Sequence, residues 1–298
     1  MASVGKEDHF GDFLGMKTKE DMRVVLLNVD NLPDRRNSEK TEQILDWWAK
    51  DEVDVALFTE TARHWPTVPY EERWDKEISQ RVRGGVCSSM ACNCRQTRNN
   101  NSSTHQYGGT AVFMVGSNTS SSEKKSQDKS GLGRWTSIRL RGKDGRGIRF
   151  VSAYRPNSPG RASKQNTVWS QHREYFLRRK DDRDPQKIFL SDLMKAIREW
   201  KKSGDHIVVG MDANDDVRNG EVQRAMAAEG LHEPLLKRHC KQPSRATYNR
   251  NYSNKPIDAF FVTGGIRISQ GGYYGWDEAV PSTHRALWID IPRKTLIG

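Results

Sequence analysis

The sequence predicts an α+β fold in which β-sheets pack together and are covered by helices. Short apolar runs typical of strands recur along the whole chain, and helical patterns lie between some of them without a regular strand–helix alternation. No linker-like boundary or internal repeat divides the 298 residues. A chain of this length can bury a large core as a single domain.

Eight strands are predicted from these runs. The first, 24–29, is apolar except for Asn28, which is typical of a buried strand. The last, 285–291, alternates side chains with the period of two expected of a strand. The predicted strands are 24–29, 54–59, 110–115, 135–140, 148–154, 206–211, 257–263 and 285–291.

Two helices are predicted from the periodicity and from their first residues. Ser38 is expected to cap a helix whose inner face carries Ile44 and Trp48. Pro185 follows an aspartate and suits the first turn of a helix that runs to Lys202. The second helix repeats apolar residues with a helical period, so one face is expected to pack inward.

Two stretches, 84–107 and 117–131, show neither the helical nor the strand period and are expected to form loops. The regular pattern starts close to residue 22 and ends close to residue 292. We therefore expect an N-terminal extension without fixed structure over 1–21, one domain over 22–292 and a short tail over 293–298.

The net charge favours a polyanionic partner. Lys and Arg number 49 and Asp and Glu 38, which gives +11, and such a surplus attracts phosphate-rich polymers or anionic surfaces. The sequence has no apolar run of about 18 residues and no apolar stretch of a signal peptide at its start. We expect an intracellular protein, in the nucleus or cytoplasm, that is neither secreted nor bound to a membrane.

The four cysteines, Cys87, Cys92, Cys94 and Cys240, do not follow the spacing of a repeated CxxC pair. Their spacing therefore does not predict a zinc site. An intracellular chain is expected to keep them as thiols.

Polar side chains stand at the ends of four predicted strands. They are Asn28, Asp30, Glu60, Asp212, Asn214 and Asp258. A sheet edge that gathered these ends would bring together four carboxylates and two amides, which is how a hard divalent cation is held. Each residue alone is more typical of a turn, where Asp and Asn make local hydrogen bonds. Taken together, and with 282–284 just before the last strand, they favour a functional site.

The order of the motifs resembles the endonuclease/exonuclease/phosphatase superfamily, which has the fold of pancreatic deoxyribonuclease and the apurinic endonucleases. The motifs are Leu27-Asn28-Val29-Asp30, Thr59-Glu60-Thr61, Tyr154-Arg155-Pro156-Asn157, Gly210-Met211-Asp212-Ala213-Asn214, Pro256-Ile257-Asp258 and Ser282-Thr283-His284. The resemblance implies a four-layer sandwich of two mainly antiparallel β-sheets flanked by helices. Within the superfamily, Gly108-Gly109-Thr110 and the ending HRALWID are most similar to retroelement-type endonuclease domains.

The resemblance also implies a role for each polar residue. Glu60 would be the direct ligand of Mg²⁺ or Mn²⁺, with Asp30 as a direct or water-bridged ligand and Asn28 orienting both. Asp212 would orient or deprotonate the attacking water. Asn214 would donate its amide to the phosphate.

Four further residues belong to the same expected site. His284 would face the phosphate, and Asp258 would accept from its other ring nitrogen and favour the charged form. Tyr154 and Asn157 would contact the scissile phosphate from the opposite wall. A tyrosine that merely satisfies its hydroxyl at the rim is the alternative for Tyr154.

One position departs from the superfamily pattern. The residue before the last histidine is usually Asp, whereas here Thr283 supplies a neutral hydroxyl. Loss of a preorganised charge of that kind reduces rates on the order of 10²-fold or more. Three expectations therefore stay open: the enzyme is slow, it prefers Mn²⁺, or it is inactive.

The sequence therefore supports three hypotheses of function. The first is a divalent-metal-dependent DNA endonuclease of retroelement type, with DNA favoured over RNA. The second is an exonuclease or a small-phosphoester phosphatase on the same fold. The third is a nucleic-acid-binding module whose catalysis has weakened, as Thr283 suggests.

Overall fold

The computed structural model describes residues 8–33, 38–82, 84–95, 105–142, 145–158, 167–249 and 254–297. These residues form twelve strands in two six-stranded sheets. The strands are β1 (Asp21–Asn28), β2 (Val55–Thr59), β3 (Val86–Ala91), β4 (Thr110–Val115), β5 (Ser122–Gln127), β6 (Trp135–Arg141), β7 (Gly147–Tyr154), β8 (His206–Asp212), β9 (Leu231–His232), β10 (Asp258–Thr263), β11 (Gln270–Tyr273) and β12 (Leu287–Pro292). The helices are α1 (Glu39–Lys50), α2 (Trp74–Arg81), α3 (Val168–Leu177), α4 (Pro185–Lys202), α5 (Glu221–Ala228), α6 (Pro234–Arg238) and α7 (Arg293–Ile297).

The two sheets have the same plan. The first has the order β11-β12-β1-β2-β4-β3 and the second the order β5-β6-β7-β8-β10-β9. Each contains one parallel pair near its centre, β1 with β2 and β7 with β8, and every other pairing is antiparallel. The predicted mainly antiparallel sheets are therefore confirmed.

The central core lies between the two sheets. Leu26 and Leu57 of the first sheet belong to the same apolar cluster as Phe150 and Val208 of the second. Gly210 lets the sheets approach closely, because a Cβ at this position would lie 2.6 Å from Cδ1 of Leu57. The glycine of the Gly210–Asn214 motif thus has a packing role directly before the polar residues.

Helices cover the outer face of each sheet. Ser38 accepts from Thr41 N at 3.1 Å and begins α1, whose residue Trp48 packs on the first sheet. Helix α4 buries Phe189 and Leu193 against the second sheet. The four layers match the prediction. Among the described residues, no helix has both the length and the apolar character needed to span a membrane.

All eight predicted strands are present, and their ends differ from the expected ones by at most three residues. Two predicted loops are wrong in part, because 84–107 contains β3 and 117–131 contains β5. Both are edge strands and carry many polar residues. Strand β5 exposes Lys124 and Lys125, and lysines are common on edge strands because they discourage pairing with another chain.

The expected N-terminal extension differs from the structure in its second half. Phe10 is fully buried and its carbonyl accepts from Tyr273 N at 2.9 Å, while Gly11 forms a β-bridge with Gly272. Residues 8–20 therefore pack on the domain because they complete the edge next to β11. Residues 1–7 lie outside the described residues. Whether 22–292 folds by itself stays a prediction.

Candidate active site

The pairing of the strands brings the expected polar residues to one edge of the sandwich. Asn28 and Thr59 are partners at the ends of the parallel strands β1 and β2. In the second sheet, Tyr154 and Asp212 are partners at the ends of β7 and β8, and Asp258 begins β10 opposite Asp212. The parallel pairs place their carboxyl ends side by side, so the turns that follow hold the site.

Asn28 joins the two sheets. Its Nδ2 donates to Oδ2 of Asp212 at 2.9 Å and lies 3.3 Å from Nε2 of His284. Its Oδ1 accepts from Asp30 N at 3.0 Å, which fixes the orientation of the amide. One buried side chain therefore positions residues from three different segments.

His284 and Asp258 form a buried pair. Nδ1 of His284 donates to Oδ2 of Asp258 at 2.8 Å. Burial alone would lower the pKa of His284, but the charge of Asp258 and this hydrogen bond raise it to about 9. At neutral pH, the imidazole is therefore charged in the absence of other cations.

Asp212 lies at the centre of the buried cluster. Burial, followed by repulsion from Asp258, raises the pKa of Asp212 to about 8, although the charge of His284 opposes the shift. The carboxylate accepts from Asn28 and, at 3.0 Å, from the backbone N of Asn214. Ligating atoms of Asp212, Asp258 and His284 lie within 4.8 Å of one another.

Glu60 and Tyr154 contact each other across the two sheets. The hydroxyl of Tyr154 lies close enough to the carboxylate of Glu60 and to the amide of Asn214 for both to influence its pKa. Burial and the negative charges of Glu60 and Asp212 raise the pKa of Tyr154 well above its usual value, so the phenol stays neutral. Glu60 is half-buried at the mouth of the site.

Asp30 lies beside Glu60 because Asn31 N donates to Glu60 O at 3.0 Å. The Nζ of Lys40 donates to the carbonyl of Asp30 at 2.9 Å and holds the turn after β1. The hydroxyl of Thr283 lies 3.4 Å from Oδ2 of Asp30. Asp30 and Glu60 thus follow the neighbouring strands β1 and β2 at the same edge, and both side chains are partly exposed carboxylates of the type that a hard divalent cation prefers.

Residues with a left-handed backbone collect at this edge. Asp30, Asn31, Glu60, Ala62 and Asn214 all have φ between 42° and 79°. This conformation is uncommon for residues other than glycine, and strained residues of this kind concentrate at functional sites. The backbone therefore marks the same edge as the side chains do.

Neither a protein-family model nor a curated protein matches the sequence. Solved structures do share its architecture. The catalytic domain of human Nocturnin matches with a TM-score of 0.64 and 14% identity, over 94% of this chain and 96% of that one. An endonuclease/exonuclease/phosphatase family protein from Leptotrichia buccalis C-1013-b matches with a TM-score of 0.60 and 12% identity, over 91% and 99%. This chain has the endonuclease/exonuclease/phosphatase fold.

The endonuclease domain of TRAS1, a telomere-specific non-LTR retrotransposon, shares this fold as well. Its TM-score is 0.52 at 16% identity, over 91% of this chain and 98% of that one. At such low sequence identities, the similarity to these structures shows a shared fold and no more. The expected resemblance in architecture is therefore confirmed.

Within this fold, the structure places most of the expected site residues together. Eight of them lie at the edge described above: Asn28, Asp30, Glu60, Tyr154, Asp212, Asn214, Asp258 and His284. Asn157 differs, because its side chain is exposed in the segment after β7. It lies outside the buried cluster.

Sequence reasoning missed two residues that support the candidate active site. The ring of Tyr248 lies 4.7 Å from that of His284, and the two residues form a β-bridge. Oγ1 of Thr247 accepts from Asp258 N at 3.1 Å and from Ile257 N at 2.9 Å. A β-branched residue followed by an aromatic one was the available signal, but a pair this short predicts no strand by itself.

Proposed function

We propose that this chain is a divalent-metal-dependent phosphodiester hydrolase and, more narrowly, a DNA endonuclease of retroelement type. The observation that carries the proposal is the convergence of both sheets on one edge. That edge holds two partly exposed carboxylates beside a buried imidazole–carboxylate pair and a third, buried carboxylate. Phosphodiester hydrolysis needs a site for a cation, an activated water and charge stabilisation, and these groups can supply all three.

We assign Glu60 and Asp30 as the ligands of Mg²⁺, with Mn²⁺ as an alternative. Both are carboxylates, and Mg²⁺ prefers oxygen ligands together with several waters. A bound cation would neutralise charge that develops on the phosphoryl oxygens. Tyr154 lies beside Glu60, and Lys40 holds the backbone of Asp30.

We assign Asp212 as the group that orients and deprotonates the attacking water. Its pKa, raised by burial, makes the carboxylate a stronger base than an exposed aspartate. Hydrogen bonds from Asn28 and from Asn214 N hold both oxygens in place. Asn28 is therefore a positioning residue.

We assign the charged imidazole of His284 to a phosphoryl oxygen of the substrate. Its Nδ1 is committed to Asp258, so Nε2 is the nitrogen that can face the substrate. The nearest neighbour on that side, Nδ2 of Asn28, is itself a donor and cannot accept the Nε2 proton. A phosphoryl oxygen would be a suitable acceptor.

The side-chain amides of Asn214 and Asn157 have different proposed roles. Nδ2 of Asn214 donates one proton to Arg155 O at 2.7 Å, and its second proton would be donated to the phosphate. Exposed Asn157 would contact the substrate from the segment after β7.

Two observations support a nucleic acid as the substrate. A chain of charge +11 gains free energy from each phosphate it neutralises along a polymer, whereas a small ester meets only the pocket. The fold is also that of the endonuclease domain of the TRAS1 retrotransposon. Both favour DNA as the partner, with RNA as the alternative.

Two other functions remain alternatives. The Leptotrichia protein has the same fold under a family name that includes phosphatases, which supports an exonuclease or small-phosphoester phosphatase. Thr283, which stands where the superfamily has a carboxylate, supports a weakened nucleic-acid-binding module.

A panel of three substrates separates these functions. Purified protein with Mg²⁺ would be given supercoiled plasmid, an oligonucleotide hairpin with a 3′-phosphate, and bis-p-nitrophenyl phosphate. An endonuclease nicks the plasmid, which has no ends. Hydrolysis of only the hairpin or the small ester would establish the second function. Plasmid binding without any hydrolysis would establish the third.

A further inference from the structure

A second group of metal-binding side chains lies outside the candidate active site. Ligating atoms of His64, Cys92 and Cys94 lie within 4.8 Å of one another. His64 follows β2 at the start of a short 3-10 turn, and the two cysteines follow β3. The donors are therefore sulfur and imidazole nitrogen, whereas the candidate active site is built mainly from oxygen donors.

The distance between the sulfurs fits a tetrahedral metal. Sγ of Cys92 and Sγ of Cys94 are 3.6 Å apart. Two thiolates bound to one zinc ion at about 2.3 Å each would stand about 3.8 Å apart in tetrahedral geometry. A metal could bind both sulfurs with a shift of only a few tenths of an ångström.

The ring of His64 has a hydrogen-bond partner at Nδ1, which favours Nε2 as the nitrogen that would bind a metal. The hydroxyl of Thr67 donates its single proton to His64 O at 3.0 Å. The same oxygen lies 3.1 Å from Nδ1 of His64, so it accepts from Nδ1–H. The lone pair is then on Nε2. A hydrogen bond at one ring nitrogen is the usual support for a histidine that binds metal through the other.

The turn that carries the cysteines is fixed by its neighbours. Cys94 N donates to Gly131 O at 2.9 Å, and Asn93 Nδ2 donates to Oε1 of Gln171 at 3.1 Å. Gly133 packs directly on Cys92, where a Cβ would lie 2.5 Å from the Cys92 carbonyl carbon. The positions of the sulfurs are therefore set by the fold before any metal binds.

We propose that His64, Cys92 and Cys94 form a binding site for a thiophilic transition metal, with Zn²⁺ as its natural occupant. Cys94 is exposed, so the fourth position opens to solvent and is completed by water or by His105, whose backbone pairs with the neighbouring residue Arg63. Two thiolates and an imidazole favour Zn²⁺ over Mg²⁺.

The position of the site gives it a structural purpose. It would tie the segment after β2, which carries Glu60, to the end of β3. The backbone already links the segment after β2 to the start of β4, since Ala62 N donates to Gly108 O at 2.8 Å, and β4 pairs with the end of β3 through Thr110 and Ala91. The spacing of the cysteines could not predict this site, because His64 comes from a different strand and lies 28 positions before Cys92.

Co²⁺ is the probe that tests this site, because thiolate ligands give cobalt a sulfur-to-metal charge-transfer band that oxygen ligands do not. Reduced, metal-free protein is titrated with Co²⁺ alone, and Zn²⁺ is then added as a competitor. The variants are Cys94→Ser and Cys92→Ser. The matched control is Cys240→Ser, which removes an exposed free cysteine elsewhere. The Glu60→Ala variant shows that the band does not come from the candidate active site.

We expect a saturable charge-transfer band together with the strong visible bands of a tetrahedral ion, all lost on addition of Zn²⁺. Cys94→Ser should weaken the band and lower Co²⁺ affinity at least about 10-fold, and the control should match the unchanged protein. Cys94 is exposed, so its variant is expected to fold, and circular dichroism checks this. No charge-transfer band in the reduced protein, an equal band in folded Cys94→Ser, or a Cys92–Cys94 disulfide that re-forms and excludes Co²⁺ would overturn the proposal.

Discussion

The charge of His284 is set by a balance between its burial and its partner Asp258. Burial lowers the pKa of the imidazole, and the carboxylate 2.8 Å away more than offsets that effect. Asp258 is thus the largest of the influences that raise the pKa of His284, and the charges of Asp212 and Glu60 add to it. If His284 must be charged to bind the phosphoryl group, the pH dependence of kcat/KM should change when Asp258 is replaced.

Asp258→Asn should move the alkaline limb of kcat/KM to lower pH by about one unit or more, because the pKa of His284 then falls. A raised pKa keeps the imidazole charged up to about pH 9, and without Asp258 the effect of burial dominates. The measurement is a pH–rate profile at fixed Mg²⁺ together with an NMR titration of the imidazole. Asp277→Asn, at an exposed aspartate, is the control. An alkaline limb that stays in place in Asp258→Asn would refute the assignment.

Thr283 provides a second prediction for a single residue. Thr283→Asp would place a carboxylate beside Oδ2 of Asp30, which now lies 3.4 Å from the Thr283 hydroxyl. Two adjacent carboxylates repel, and a divalent cation relieves that repulsion. We expect half-maximal activity at lower Mg²⁺ and a rate increase on the order of 10-fold. Thr283→Asn introduces a side chain with the shape of aspartate but without its charge, so it should give neither gain. Equal Mg²⁺ dependence in both variants would mean that the site is adapted to Thr283.

Several contacts of the site could not be predicted from the sequence. The motifs identified which residues take part, because their types and order resemble a known set. The position of Asn28 Nδ2 between Asp212 and His284, and the tilted packing of Tyr248 on His284, depend on how the two sheets meet. The motif that contains Asn157 assigns it to substrate contact, and its exposed side chain leaves that contact a prediction.

At the scale of elements, strands and helices were predictable where they bury a continuous apolar face. Strand β8 and helix α4 have such faces and pack together in one cluster. Edge strands β3 and β5 were missed because hydrogen bonds to a neighbouring strand, rather than apolar side chains, define them. Pairing partners far apart in the chain leave no local signal.

Helix α4 provides a prediction at this scale. Asp184 caps its first turn by accepting from Gln186 N at 2.7 Å. Asp184→Ala should lower the free energy of unfolding by about 1 kcal/mol, whereas Asp182→Ala, which changes an exposed aspartate two residues earlier, should change it little. Urea denaturation of both variants measures the difference. Equal stability would show that the cap contributes nothing, and activity per folded molecule should be unchanged.

At the scale of the molecule, ion pairs engage some of the basic side chains and leave others exposed. Arg81 pairs with Glu42 at 2.5 Å and Arg238 with Asp12 at 2.8 Å, which removes some of the basic groups from contact with a partner. Lys124 and Lys125 are exposed on β5. Such a surface attracts a polyanion without regard to its sequence. The cellular compartment stays a prediction.

Glu60→Ala should retain DNA binding that weakens steeply as salt rises. Binding of this kind depends on counterion release by Lys and Arg, to which Glu60 does not contribute. Fluorescence anisotropy with a duplex oligonucleotide in EDTA, at a series of salt concentrations, gives the slope for both proteins. If the salt dependence of DNA affinity has the same slope in both proteins, DNA binding does not require the candidate metal site. Loss of binding in the variant would tie DNA affinity to Glu60 itself.

The most direct test of the central claim is nicking of supercoiled plasmid by the purified protein with Mg²⁺, with Mn²⁺ and with EDTA, beside Asp212→Asn. The site predicts nicking that requires the metal and falls at least about 10²-fold in the variant, because the base is lost while its shape is kept. Cleavage that persists in EDTA, or that Asp212→Asn retains in full, would contradict the assignment of this edge as a metal-dependent phosphodiesterase site.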